Sequence, residues 1–229
     1  MLNQEEYLNQ TRYALSNLFK IIDEFNATIR NKTPPVAIFS GNRGSIDSLY
    51  KEWEEDPSIV KKRNAAHKLQ SDFDAKKFSY EVACGAVLQI AYQAIVLYGT
   101  PTELDNNYLT LLIGVKRIND KVKRFFNGRE VRGVPLGLVI YAGRNQYNHL
   151  DESNKLNRLN TNIFERLSKE NELKLTECQV EVFGSERVIR PIFKLNLQHT
   201  NYSSNIINAL GWSSLRNYED DLRQLITKV

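Results

Sequence analysis

The stretch VACGAVLQIAYQAIVLY, residues 82–98, is the most apolar run of the chain, and the fold depends on it. It falls short of the roughly 20 residues that a membrane-spanning helix needs, and Gln89 and Gln93 interrupt it. We therefore expect a helix that is buried in the middle of a helical bundle.

Helices are also predicted before this run. Apolar residues at helical spacing line one side of residues 3–29, and paired prolines and two glycines mark 31–45 as a connecting loop. A short helix follows over 46–55. Asp56-Pro57 ends it and begins the next helix, since proline suits a first helical turn, and this helix continues over 58–98.

Three further helices are predicted after the apolar run. The first covers residues 106–128 and ends at Asn127-Gly128. The second begins near Pro135 and ends at 151–153, and the third covers 156–169.

The pattern changes in the last quarter of the chain. Cys178, Val180 and Val182 alternate with polar residues, which is typical of a strand. A turn at 183–187 leads to a partner strand that Pro191 restricts to a sheet edge, and two helices close the chain.

These patterns predict a mainly α protein. Its first part is a helical bundle over residues 1–170, and residues 171–229 form a mixed α/β extension that contains a β-hairpin. Because about 59 residues make a marginal core, we expect the extension to pack on the bundle.

Composition and charge indicate an ordinary globular protein with a basic surface. Of the 229 residues, 41% are apolar and 25% are charged, and the net charge of +4 suits an anionic partner. Cys84 and Cys178 lie far apart, which suggests neither a zinc site nor a disulfide framework. The polar N-terminus carries no secretory signal, so we expect a cytoplasmic protein without a membrane partner.

Few catalytic motifs are compatible with this chain. It has no phosphate-binding P-loop, no nucleophile elbow and no H-E-x-x-H motif. His199 is interpreted as a structural or surface residue. His67 follows Arg63 and Asn64 at a spacing too short to repeat the pattern described next, and a solvated basic helix face explains it.

The candidate site is the sequence RNQYNH, residues 144–149. On a helix, Asn145 and His149 share a face about 40° apart, while Arg144 lies about 140° from the histidine but has a long side chain. A permanent cation, an amide and a group that titrates near neutrality suit a phosphodiester. They supply charge stabilisation, positioning and proton transfer.

A basic segment precedes the candidate site. Residues 114–132 carry seven basic and two acidic side chains, a net charge of +5. A polyanion such as RNA would fit beside it, although a solvated helix face is the alternative. The candidate RNA-binding residues are Lys116, Arg117, Lys121, Lys123, Arg124, Arg129 and Arg132.

Small residues mark the helix that carries the candidate site. Gly133, Gly137, Ala142 and Gly143 allow close approach of a neighbouring helix or of a second subunit, and core packing alone also explains them.

The sequence from Arg144 to His149 resembles the R-N-x-x-x-H form of the R-x-x-x-x-H signature of the HEPN (higher eukaryotes and prokaryotes nucleotide-binding) superfamily. As an architecture the likeness covers residues 58–170. The resemblance implies an all-α, often dimeric, metal-independent endoribonuclease of a toxin–antitoxin or anti-phage system. It implies that Arg144 and His149 are catalytic with Asn145 in support, that two motifs face each other across one cleft, and that no cofactor is needed.

In the mechanism that this resemblance implies, the ribose 2′-OH attacks the adjacent phosphate. His149 assists proton transfer and Arg144 stabilises the charge on the phosphorus oxygens. One position departs from the family pattern, because Asp151 stands where many silenced toxins of the family have a tyrosine. Asp151 can pair with Arg144, orient His149 or simply end the helix.

The leading hypothesis is a HEPN-type endoribonuclease that acts on RNA as a homodimer, as a toxin or defence effector with an antitoxin or defence-system partner. The second is a HEPN-like module that binds RNA, a nucleotide or a protein without cleavage. The third is a helical scaffold in which the motif is accidental.

Overall fold

A computed structural model describes residues 3–30, 43–149, 156–169, 180–183, 186–189 and 201–227. Several sequence-based interpretations lie outside these residues. They concern most of the loop predicted at 31–45 and the positions Asp151, Cys178, Pro191 and His199.

The protein is mainly helical, as predicted. In the described part of the chain the α-helices are α1 (Gln4–Arg30), α2 (Arg43–Glu55), α3 (Pro57–Tyr98), α4 (Asp120–Lys123), α5 (Leu136–Asn148), α6 (Arg158–Lys169), α7 (Ser203–Ala209) and α8 (Leu215–Ile226). The predicted ends of α1 and α3 are confirmed to within a residue or so. Helix α2 begins three residues before the predicted start at Ile46.

Two short antiparallel hairpins accompany these helices. Strands β3 (Val180–Phe183) and β4 (Glu186–Ile189) pair with Val180 opposite Ile189 and Phe183 opposite Glu186, which confirms that a hairpin forms here. The turn predicted at 183–187 is too long, since Phe183, Glu186 and Arg187 lie in the strands. Strands β1 (Glu130–Val131) and β2 (Val134–Pro135) form a second hairpin that the sequence analysis missed. Its two turn residues both have positive φ, 51° at Arg132 and 70° at Gly133, as a tight two-residue hairpin requires.

The helix predicted over residues 106–128 is wrong. A 3-10 helix (Asn106–Leu112) and the short α4 replace it, with irregular backbone between them. Gly114 has a φ of 74°, a left-handed conformation that ends the first helix. The Asn119 side chain then accepts a hydrogen bond from the Val122 backbone N–H and starts α4 anew.

Contacts along the chain divide it into two compact units. The first contains Met1–Ile22 and Glu81–Val229, and the second contains Asp23–Tyr80. The boundary predicted at residue 170 therefore lies inside the first unit. Helices α7 and α8 and the residues between them supply part of that unit's core, including Trp212, which lies between the helices, and Tyr218 of α8.

The apolar run of α3 lies in the core of the first unit, as predicted. Cys84, Val87, Leu88, Ala91 and Ile95 are fully buried there. By length and composition one described helical segment, Asp74–Tyr98, could cross a membrane, but more than half of its apolar window is buried inside the protein. A single segment of this kind is not the pattern of a multi-span membrane protein.

The second unit holds the sequence around His67. Phe25 and Tyr80 stack in this unit with ring centroids 4.1 Å apart. Arg63 forms an ion pair with Glu54 at 3.1 Å, and His67 is exposed. Arg63 is thus engaged with a carboxylate, which agrees with the interpretation of this segment as a charged surface.

A buried carboxylate connects α8 to the chain before β1. The Asp221 oxygens accept from Arg129 Nε at 2.9 Å and from Arg129 Nη2 at 2.8 Å. Asp221 Oδ2 also accepts from the indole N–H of the buried Trp212 at 2.8 Å. The bidentate guanidinium and the indole satisfy the hydrogen-bonding capacity of this carboxylate. The network therefore fixes α8 against the rest of the first unit.

We predict that Asp221→Ala lowers the free energy of unfolding by about 2–4 kcal/mol, because Arg129 and Trp212 lose a charged partner in a mostly buried position. Urea denaturation followed by circular dichroism measures the loss. The matched control is Asp220→Ala: the Asp220 side chain is 65% exposed and lies 3.8 Å from Arg216. That change should cost less than about 0.5 kcal/mol. Equal losses for the two variants would contradict a stabilising role for the network.

Candidate functional site

Helix α5 is packed closely on the rest of its own chain. A Cβ at Gly137 would lie 2.5 Å from the Phe125 carbonyl oxygen, and one at Gly143 would meet Ile206 and Leu88 at 3.0–3.2 Å. Ala142 is fully buried. These small residues therefore allow neighbouring parts of the same chain to approach, and they do not form a surface for a second subunit.

Two residues inside the RNQYNH sequence hold α5 in place. Gln146 is 3% exposed, and its side-chain oxygen accepts a hydrogen bond from the Tyr202 backbone N–H at 3.0 Å. The Tyr147 ring lies over Gly85 of α3, where an added Cβ would come within 2.3 Å of it. These two positions have structural roles that the sequence analysis did not recognise. In the sequence, Gly85 within the apolar run is the one feature that indicates the contact with Tyr147.

Arg144 projects from α5 onto α3. Its Nε donates to Gln89 Oε1 at 2.8 Å, and its Nη1 donates to Asn145 Oδ1 at 3.2 Å. The guanidinium carbon lies 4.5 Å from the centroid of the Tyr92 ring, a cation–π distance. The half-buried guanidinium is therefore fixed by two amides and an aromatic face.

Asn148 completes this arrangement. With its amide oxygen turned toward the guanidinium, the orientation that satisfies both groups, it accepts from Arg144 Nε at 3.1 Å and from Nη2 at 2.9 Å. Asn148 is exposed and Asn145 is half-buried, so both amides lie at the solvent side of the arginine.

The partners of Arg144 within the described residues are all uncharged. Among the residues that the structure describes, no carboxylate forms an ion pair with it. Neutral acceptors fix a guanidinium without cancelling its charge, so the described residues around Arg144 leave its positive charge in place. A group of this kind attracts an anion and can bind a carboxylate or phosphate through two parallel hydrogen bonds.

An aromatic cluster supports the guanidinium from below. The Tyr92 ring stacks with Phe125 at a centroid distance of 5.0 Å, and Phe125 lies 5.2 Å from Tyr141. The ammonium nitrogen of Lys121 lies 5.7 Å from the Tyr92 centroid. Two cations from different helices thus share one buried tyrosine.

The predicted face shared by Asn145 and His149 assumes that the helix continues through residue 149. Helix α5 ends at Asn148, and His149 follows as its C-cap with φ −119° and ψ 27°. Its backbone N–H donates to the Gln146 carbonyl at 3.4 Å, and the residue is exposed. Because the helix stops before it, helical spacing does not set the direction of its ring.

Four of the seven basic residues predicted to bind RNA are held by contacts within the chain. Arg129 pairs with Asp221, and Lys123 lies 3.0 Å from Asp120. Arg124 donates to the Val96 carbonyl, and Arg132 donates to the Leu167 carbonyl at 3.1 Å. The remaining three, Lys116, Arg117 and Lys121, are exposed. Of these, Lys121 reaches the ring that Arg144 covers.

The described residues contain no group of three or more His, Cys, Asp or Glu side chains that could hold a metal ion. Asp151, the predicted orienting residue, lies outside them, so its place relative to Arg144 and His149 is not described.

No family model matches this chain, and searches of curated proteins and of solved structures find no match.

We predict that Gln146→Ala lowers the free energy of unfolding by about 1–3 kcal/mol, because a buried backbone N–H loses this acceptor. The adjacent Asn145→Ala is the control and should cost less than about 0.5 kcal/mol, since the Asn145 amide is half-buried near solvent. Urea denaturation compares the two variants. If Gln146→Ala is as stable as Asn145→Ala, Gln146 does not anchor α5.

Proposed function

We propose that this protein is a metal-independent endoribonuclease with a HEPN-type site, in which Arg144 and His149 are catalytic and Asn145 is supporting. The observation that carries the proposal is the environment of Arg144. A half-buried guanidinium with amide and aromatic neighbours is fixed in place and keeps its charge for an anionic ligand. A phosphodiester is the anion that this site suits best when a histidine lies beside it.

The proposed reaction is an internal transesterification. A ribose 2′-oxygen loses its proton to His149 and attacks the adjacent phosphorus, and the bond from phosphorus to the 5′-oxygen breaks. The leaving 5′-oxygen takes up a proton, so the products are a 2′,3′-cyclic phosphate and a 5′-hydroxyl. Arg144 stabilises the negative charge that develops on the non-bridging oxygens in the transition state.

Lys121 extends the site toward a longer RNA. It is the exposed basic residue of segment 114–132 whose side chain reaches the Tyr92 ring, where Arg144 also lies. A phosphate next to the scissile one would meet this second cation. The other exposed basic residues of the segment, Lys116 and Arg117, would contribute to affinity through counterion release.

The setting of this activity is also part of the proposal. The protein would act in the cytoplasm as a toxin or an anti-phage effector, with an antitoxin or another defence protein as its partner. It would work as a homodimer in which the motifs of two subunits share a cleft.

A second candidate function rests on the position of His149. Because this residue lies beyond the last helical residue, the site also suits a module that binds RNA, a nucleotide or a protein without cleaving RNA. Cleavage itself separates the two functions.

The direct test is incubation of the purified protein with total RNA in excess chelator. We expect cleavage to continue, because proton transfer and charge stabilisation come from side chains, and we expect fragments that end in a cyclic phosphate. His149→Ala should lower the rate by about 10²–10⁴-fold through loss of acid–base help. Arg144→Ala should be similarly severe, and Asn145→Ala milder.

The matched control is His67→Ala, which changes the other described histidine and should leave the rate unchanged. Circular dichroism first shows that each variant is folded. Activity that disappears with chelator and returns with magnesium would overturn the metal-independent mechanism. A folded His149→Ala that cleaves at the normal rate would remove His149 from the reaction, and RNA binding without cleavage would favour the second candidate.

The homodimer predicts a particular response to subunit mixing. When wild type and His149→Ala exchange subunits, activity should follow the square of the wild-type fraction, because only dimers with both histidines cleave RNA. A linear fall would mean that each subunit cleaves independently. Sedimentation of the active species gives a second reading, and an active monomer would exclude a shared cleft.

A further inference from the structure

Gln89 contacts Arg144 although it lies 55 positions away in sequence. It is half-buried on α3, within the apolar run, and its side-chain oxygen accepts from Arg144 Nε at 2.8 Å. In the sequence this residue only interrupts an apolar helix. In the fold it contacts Arg144, the side chain that stabilises the negative charge of the transition state in the proposed function.

The hydrogen bonds of Arg144 leave part of its guanidinium available. A guanidinium has five N–H groups, one on Nε and two on each terminal nitrogen. Nε donates to Gln89, Nη1 to Asn145, and Nη2 to Asn148. Among the described residues each terminal nitrogen therefore keeps one N–H without an acceptor, and such a pair suits two oxygens of one phosphate.

The chemistry of the Gln89 side chain matters as much as its position. An amide oxygen orients the arginine as a carboxylate would, but it adds no negative charge. A carboxylate at the same place would form an ion pair with Arg144 and compete with the phosphate for its charge. An apolar side chain would leave the charge intact but would remove the hydrogen bond that fixes Nε.

We propose that Gln89 is a positioning residue of this site: its neutral acceptor orients Arg144 for a phosphodiester while leaving the charge of the guanidinium to the ligand. This inference rests on the proposed function, since the proposed function identifies the anion that Arg144 binds as a phosphodiester. Gln89 acts through Arg144 and touches no reacting atom.

The chain supplies a matched control on the same helix. Gln93 lies one turn beyond Gln89 on α3 and is exposed. Within the described residues it makes no hydrogen bond. Gln89→Glu and Gln93→Glu each add one negative charge to neighbouring positions of one helix, so the general effect of that charge on RNA affinity is nearly equal. Only the first change places a carboxylate against Arg144.

The test measures binding and cleavage separately. The binding probe is a 2′-O-methyl RNA oligonucleotide, which lacks the attacking hydroxyl. We expect Gln89→Glu to weaken its binding about tenfold beyond Gln93→Glu, the value of a charged hydrogen bond to phosphate. The slope of log affinity against log salt concentration should fall by about one in Gln89→Glu alone, because one phosphate contact is lost.

Gln89→Leu separates orientation from charge. It keeps the charge of Arg144, so we expect the salt slope to remain that of the wild type. Cleavage of unmodified RNA should nevertheless lose about 10- to 100-fold in kcat, with a smaller change in KM, because the guanidinium is misplaced. If Gln89 only stabilised the fold, Gln89→Leu would lower the folded fraction measured by circular dichroism, and kcat per folded molecule would equal that of the wild type. If Gln89→Glu does not fold, Gln89→Leu supplies the test by itself.

Failure of this proposal can be told from failure of the proposed function. If the wild type cleaves RNA and Gln89→Glu and Gln89→Leu both behave like Gln93→Glu, Gln89 has no positioning role and the ribonuclease proposal stands. If the wild type binds the probe but cleaves no RNA, the ribonuclease proposal fails. The salt dependence of probe binding then still tests the role of Gln89. A slope that falls in Gln89→Glu but not in Gln93→Glu supports that role, and equal slopes overturn it. A wild type that neither binds nor cleaves overturns both.

Discussion

The packing of α5 against α3, α6 and α7 is the constraint on which the first unit depends. From Leu136 to Ala142 the residues that face these neighbours are buried, apart from the half-buried Tyr141. Gly85 admits the Tyr147 ring against α3, and Gly137 lets α5 begin against the Phe125 backbone. With most of its surface used in this way, α5 has one open side near its C-terminal end. Arg144, Asn145 and Asn148 occupy that side.

Two arginines of this unit show how the surroundings of a charge decide its use. Arg129 forms an ion pair with a carboxylate that also accepts from an indole. The charge of Arg129 is therefore neutralised in the contact that holds α8. Arg144 meets amides and the face of a tyrosine, and its charge remains. The sequence predicts RNA binding for Arg129 and catalysis for Arg144. It cannot distinguish their surroundings, because the residues that contact a side chain in the fold are not its neighbours along the chain. The distinction depends on contacts between residues 92 and 55 positions apart.

The same reasoning explains which parts of the fold were predictable. Helices α1 and α3 and the β3–β4 hairpin follow from periodicity and from local end signals, and they are confirmed. The segment 106–128 was predicted wrongly, since apolar spacing outweighed the left-handed Gly114 and the capping Asn119. In the candidate site Arg144 Nη1 donates to Asn145 Oδ1, whereas His149 lies past the helix end. Gln89 was not found because only the packing of two helices brings it to the site.

The alternation of roles along the RNQYNH sequence has a physical origin. Its first two residues and Asn148 face the open side of α5, while Gln146 and Tyr147 between them are anchored to Tyr202 and Gly85. One residue inserted after Arg144 would rotate the following positions by about 100° on the helix. Gln146 and Tyr147 would then leave their partners, and Asn148 would leave the guanidinium. The spacing between Arg144 and His149 is therefore set by the packing of α5 as much as by chemistry. A substitution that preserves the two anchors is free to alter the amides around Arg144 while the helix stays in place.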